Sequence, residues 1–209
     1  MGLIDRRSVL TGAAASLALA GCDRSRATAA PPPLPATANA AKLIAAARRQ
    51  VGVTIRYDAG YTRLSFPGGD VPRQRGVCTD VVVRAYRDAF GLDLQALVHA
   101  DMRAAFAAYP HLWGLSAPDA NIDHRRVPNL AVWLKRHGAA LPVPETASGW
   151  RRGDIFTSLV GARGTHIGLV SDRRGARGPL ILHNIGAGTR EEDALLDWPI
   201  TGRFRWALA

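Results

Sequence analysis

Apolar residues recur at helical spacing along the chain before Trp150 and at strand spacing after it. Residues 41–51 place Leu43, Ile44 and Ala47 on one face and predict an amphipathic helix. Residues 53–57 are β-branched and predict a short extended segment leading to a Gly/Pro-rich loop at 66–72, Phe-Pro-Gly-Gly-Asp-Val-Pro. Over 79–90 Val82, Val83, Tyr86 and Phe90 keep helical spacing, and Gly91 closes the helix. Residues 94–108 predict another helix, ended by Pro110, and 127–137 a third, entered through Pro128 and stopped by Gly138. Beyond Trp150 the runs 154–159, 166–171, 180–184 and 202–207 predict strands. Helices followed by a sheet make an α+β domain, and no internal repeat competes with that reading.

The first forty residues stand outside this pattern. A charged start with Asp5, Arg6 and Arg7, a short apolar run and Leu19-Ala20-Gly21-Cys22 mark residues 1–21 as a signal segment that takes no part in the fold. The paired arginines resemble a twin-arginine export signal. Leu-Ala-Gly-Cys resembles the lipobox of bacterial lipoproteins, which implies lipidation of Cys22 and a periplasmic or cell-envelope protein anchored to a membrane. Residues 22–40, rich in proline and alanine, read as a tether. Residues 41–209 are one domain's worth of chain, with no second apolar run of membrane-spanning length.

The net charge of +10 comes mostly from arginine. It favours anionic lipid or an acidic polymer such as a cell wall. Nucleic acid is not expected as a partner, because the arginines are scattered and no recognition motif accompanies them.

With Cys22 acylated, Cys78 has no partner for a disulfide in an oxidising compartment. It sits at a predicted helix start, where the helix dipole and free N–H groups favour thiolate, and so is a candidate nucleophile. A buried, inert cysteine is the plain alternative. An attacking thiol needs a base, and His166 opens a predicted strand in Thr-His-Ile-Gly-Leu-Val. On the next strand His183 or Asn184 is placed to orient His166, since alternation lets only one of them face it; Asp172 is a third choice. Cys78, His166 and His183 are also zinc-type donors, but no close-spaced ligand pair exists, so no metal and no cofactor are expected. Asp80 is suited either to cap its helix or to bind an arginine. His124, Arg125 and Arg126 lie at a helix entry, where Arg125 reads as a solvated arginine and Arg126 is open as a fork for a substrate carboxylate.

Arg152-Gly153-Asp154-Ile155 and His166-Ile167-Gly168-Leu169-Val170 resemble the Gly-Asp-Leu-Val and His-Val-Gly-Ile-Tyr stretches of NlpC-type cell-wall cysteine peptidases. GVCTDVVVRAYR at 76–87, YPHLWG at 109–114 and NIDHRRVPNL at 121–130 resemble a family of exported bacterial proteins classified as a domain of unknown function. Residues 66–72 and 183–186 extend that likeness over most of 53–205. The NlpC likeness implies a papain-like fold, with N-terminal helices packed on a C-terminal antiparallel sheet. It also implies a Cys78, His166, His183 triad acting on amide bonds of peptidoglycan peptides, and an upstream tyrosine at the oxyanion site, Tyr57 or Tyr61. This chain departs from it in carrying Val77-Cys78-Thr79-Asp80 where those enzymes carry Asp-Cys-Ser-Gly, and in a larger helical insertion at 94–137. Two further readings are a thioesterase or acyltransferase acting on lipid and a non-catalytic wall-binding lipoprotein.

Overall fold

The computed structural model describes residues 36–162 and 164–207. The signal segment, Cys22 and most of the tether lie outside the described residues. Helix α1 spans Ala36–Arg48, α2 Cys78–Phe90, α3 Leu94–Ala104 and α4 Val127–Arg136. Strands β1 (Arg56–Tyr57) and β2 (Arg75–Gly76) form a small parallel pair. The remaining strands are β3 (Ala140–Leu141), β4 (Ile155–Val160), β5 (Gly164–Arg174), β6 (Pro179–Asn184), β7 (Thr189–Glu192) and β8 (Ile200–Phe204). They make one antiparallel sheet in the order β3-β8-β4-β5-β6-β7. The fold is mixed helix and sheet of the α+β kind. Among the described residues no helix is long and apolar enough to cross a membrane.

Helix α1 starts five residues before the sequence pattern placed it, because the alanines that make 22–40 low in complexity are the best helix formers. Ala40, Leu43, Ile44 and Ala47 are buried against α2 and the sheet. The stretch 94–108 is not one helix: it breaks at Ala105 and resumes as a short 3₁₀ turn, with the Tyr109 hydroxyl folded back onto Asp101. Strands β3 and β7 were not anticipated, and the last strand lies two residues earlier than expected.

Strand alternation divides the core. Ile155, Ile167, Leu169 and Leu182 pack with Cys78, Val81, Val82, Tyr86 and α1 on the helical face. Phe156, Val170 and Ile181 face the other way, against Trp150, Ala194 and Leu195. Gly153 turns into β4 with φ 80°, and the fully buried Asp154 accepts from Arg203 Nε at 2.7 Å and from Arg205. In this chain the Gly-Asp pair therefore ties the start of β4 to the end of β8.

Arg84, fully buried on α2, fastens the loop over the helix. Its guanidinium donates to Asp70 (2.9 Å), the carbonyls of Val71 and Arg75 (3.0 Å each) and the Thr54 hydroxyl (3.1 Å). A methionine fills similar volume but leaves Asp70 and two carbonyls without their donor. Arg84→Met is expected to cost about 3 kcal/mol in urea denaturation; an unchanged midpoint would show that the fastening is dispensable.

Candidate active site

The β5–β6 ladder pairs Val170 with Ile181 and Leu169 with Leu182, then stops. The segment entering α2 occupies the place beyond. Asn184 Nδ2 donates to the carbonyl of Gly76 at 3.0 Å, and the Ile167 N–H points at the Cys78 thiol. Gly76 is required by closeness: a Cβ there would lie 2.9 Å from Asp80 Oδ2 and 3.1 Å from the Arg84 guanidinium. Cys78 is the first residue of α2, and Asp80 Oδ2 accepts the Val77 N–H at 2.7 Å. Asp80 also takes Arg125, through Nε and Nη2 at 3.0 Å each, so it caps the helix and binds an arginine at once.

On β5 the residue before Ile167 is His166, whose Nε2 lies 2.8 Å from His183 Nδ1. His183 Nε2 in turn lies 2.8 Å from Glu192 Oε1. Both imidazoles are buried beside Trp198, and Phe156 flanks His166. Gly168 is needed on the same face, since a Cβ there would meet the Phe156 ring at 2.7 Å. The structure thus brings His166 and His183 together. Asn184, one residue on, faces the other way and holds Gly76, so it does not orient His166. Asp172 is six residues along β5, ~20 Å at strand rise, and is paired with Arg48. Glu192 escaped the sequence reading because Thr-Arg-Glu-Glu has no apolar alternation; the Gly186-Ala187-Gly188 turn before it was the available signal.

A cavity of about 190 Å³ opens beside the thiol, with walls that include Tyr57, Cys78, Trp113, Arg125, Arg126 and Thr165. His166 and His183 are not among its walls: their rings lie with Phe156 and Trp198 on the face of the sheet opposite the one that packs on Cys78, so the structure does not bring the expected base to the thiol. The Tyr57 hydroxyl is directed at the thiol and is itself pushed up to about 12, first by burial and then by the charges of Cys78 and Asp80. Tyr61 is engaged elsewhere, with Asp119 at 3.0 Å and Asn121 at 2.9 Å. Arg125 is not solvated: beyond Asp80 it reaches the carbonyls of Gly60 and Asp58, and its side chain is 2% exposed. The reason is that Asp80, buried at the helix start, needs a counter-charge. Arg126 lies half-buried 3.9 Å over the Trp113 ring, with one bond to Asp123 at 3.1 Å. His124 is buried behind this wall with Nδ1 unpartnered. Among the described residues no group of three or more His, Cys, Asp or Glu is placed to hold a metal ion.

The thiol itself reverses one expectation. Burial pushes Cys78 up to about 11; the Ile167, Thr79 and Cys78 amides act in the opposite sense, and the Asp80 charge adds to the rise. Helix position alone therefore does not make a thiolate here, because loss of water outweighs the N–H groups. Burial, with the neighbouring His183 charge, also holds His166 down to about 3, and burial holds His124 down to about 4.

The family model described as "Domain of unknown function (DUF1287)" matches residues 44–206. A protein of Escherichia coli (strain K12), described as "Uncharacterized protein YijF", is 50% identical over 161 residues, which are 77% of this chain and 78% of that protein.

Two outcomes follow from the electrostatics. Iodoacetamide should alkylate Cys78 with a rate that climbs about tenfold per pH unit to near pH 10; a plateau below pH 8.5 would contradict a protonated thiol. His124 and His166 are held below the ordinary value, so their contribution to stability is complete above pH ~6.5 and is lost as pH falls toward 4. Each adds a slope of up to about 1.4 kcal/mol per pH unit. Urea midpoints should therefore drop between pH 7 and 5, and His124→Gln should flatten that slope.

Proposed function

The chain belongs to the DUF1287 family, a domain of unknown function, and on the geometry of its site we propose that it is a papain-like cysteine hydrolase cleaving amide bonds in peptidoglycan peptides. The observation that carries this reading is the Cys78 thiol at the start of α2, facing a cavity, with the amides of Ile167 and Thr79 and the Tyr57 hydroxyl directed at its sulfur. In the reaction sulfur attacks the carbonyl carbon while the thiol proton passes through water in the cavity to the leaving amine, and a thioester forms. The oxyanion meets the N–H groups at the start of α2 and the Tyr57 hydroxyl. A second water then attacks the thioester and its proton goes to the departing sulfur; the acid leaves, and the thiol is restored.

The high thiol value suits a mechanism in which the proton moves during attack, with no preformed ion pair. Arg126 supports the choice of substrate: it stands in the cavity wall, stacked on Trp113 with one carboxylate partner, and stem peptides supply further carboxylates. The net charge of +10 draws the protein toward an acidic wall. The signal-like and lipobox-like segments support, in this reading, a cell-envelope protein held by a lipid at Cys22.

A second reading, a wall-binding lipoprotein without catalysis, is favoured by one observation: the His166 ring lies on the sheet face opposite the buried thiol. Digestion of purified muropeptides by the chain, beside Cys78→Ala and followed by mass spectrometry, separates the two. Fragments lost by more than about 10³-fold in the variant are expected, and their masses name the bond. Intact muropeptides with both proteins, which still co-sediment with cell wall, would replace the hydrolase by the binder. Arg126→Ala should weaken peptides carrying a free carboxylate by about 10-fold or more and their amidated forms far less, as read in KM.

A further inference from the structure

The helical insertion at 94–137 carries a second, smaller cavity adjoining the first, and Trp113 and Arg126 line both. Met102 of α3, Phe106 and Leu115 give the smaller one apolar walls, and Asp123 and Asn129 supply buried polar ones. Its volume of about 10 Å³ holds one group the size of a water molecule.

Asn129 is fully buried near the start of α4. Its Nδ2 is turned to Asp123, 3.3 Å from the carbonyl and 3.5 Å from Oδ1, and because both are acceptors the amide is fixed this way round. Asn129 Oδ1 is left without a partner. A buried acceptor in that position is costly and calls for a donor. Beside it the Asp123 carboxylate accepts from Arg126 Nη1 and from the Asp119 N–H. Burial still pushes this carboxyl above its ordinary value; the Asp119 charge adds to the rise, while the Asp119 N–H, Arg126 and His99 oppose it. One guanidinium therefore does not replace the water that Asp123 has lost, and a further positive charge is favoured there.

A cationic donor no larger than a water is a primary ammonium, whereas a guanidinium is too wide. Apolar walls suit the methylenes behind such a head. We propose that this slot takes a primary ammonium on an aliphatic stem, with Asn129 Oδ1 and the Asp123 carboxylate as its acceptors, and so selects peptides with a free side-chain amine beside the carboxylate held by Arg126. The slot stands on its own walls; its part in choosing a substrate rests on the hydrolase reading above.

The test uses the full chain and three probes that differ at one end: Nα-acetyl-lysine, Nα,Nε-diacetyl-lysine and Nα-acetylnorleucine. Titrations followed by ¹H–¹⁵N spectra should give Nα-acetyl-lysine a Kd about 10-fold or more below the other two and should move the Asn129 side-chain amide signal. Asn129→Leu, which removes the acceptor, should abolish the preference. Leu115→Phe, which fills the slot and leaves Asn129 in place, should do the same and serves if the first variant does not fold. On muropeptides, N-acetylation of the free amines should raise KM about 10-fold at unchanged kcat, and Leu115→Phe should erase that difference. Equal affinity for the three probes, no binding of any, or a preference that survives either substitution would overturn the proposal and leave the slot to a bound water. A preference for Nα-acetyl-lysine in a chain that cleaves nothing would uphold the slot and overturn the hydrolase reading. Cleavage at one KM before and after N-acetylation, without a probe preference, would overturn the slot and leave that reading standing.

Discussion

One backbone donor organises the site. Where β5 and β6 part, the N–H of Ile167 loses its strand partner, and a buried donor without a partner is costly. The chain answers with the entry to α2: sulfur takes the Ile167 hydrogen, and Asn184 satisfies the carbonyl of Gly76. That substitution for missing ladder bonds sets the thiol against β5 at Ile167, with the His166 ring on the other face of the sheet. It also explains why Gly76 admits no side chain and why the first turn of α2 is buried.

Two ion pairs hold the surroundings to this junction. Arg84 clasps the loop above the helix, and Arg125 closes on Asp80 beneath the cavity. Pairs so deeply buried add little net stability, because desolvation offsets most of their attraction. What they contribute is a single arrangement of the 58–60, 70–76 and 123–126 segments around the thiol, since each guanidinium spends its N–H groups on named carbonyls.

The amphipathic helices were legible because spacing reports burial directly: 79–90 and 127–137 lie within a residue or so of α2 and α4. Period-two alternation likewise carried the choice between His183 and Asn184, though only the structure said which face His166 occupies. Three features were hidden for physical reasons. Thr189–Glu192 pairs through its backbone and shows no apolar stripe, so Glu192 was missed. Arg125 looked solvated because its counter-charge lies 45 residues away. The thiol was given the wrong sign because a helix start is visible in sequence and the depth of water exclusion is not.

That depth bears on how long the protein keeps its sulfur. Oxidation to sulfenic acid and exchange with passing disulfides both proceed through the thiolate and need access. A side chain 3% exposed and protonated to about pH 11 offers neither at neutral pH. An exposed thiolate would be consumed wherever oxidants reach it, whereas burial keeps the Cys78 sulfur reduced until something enters the cavity beside it.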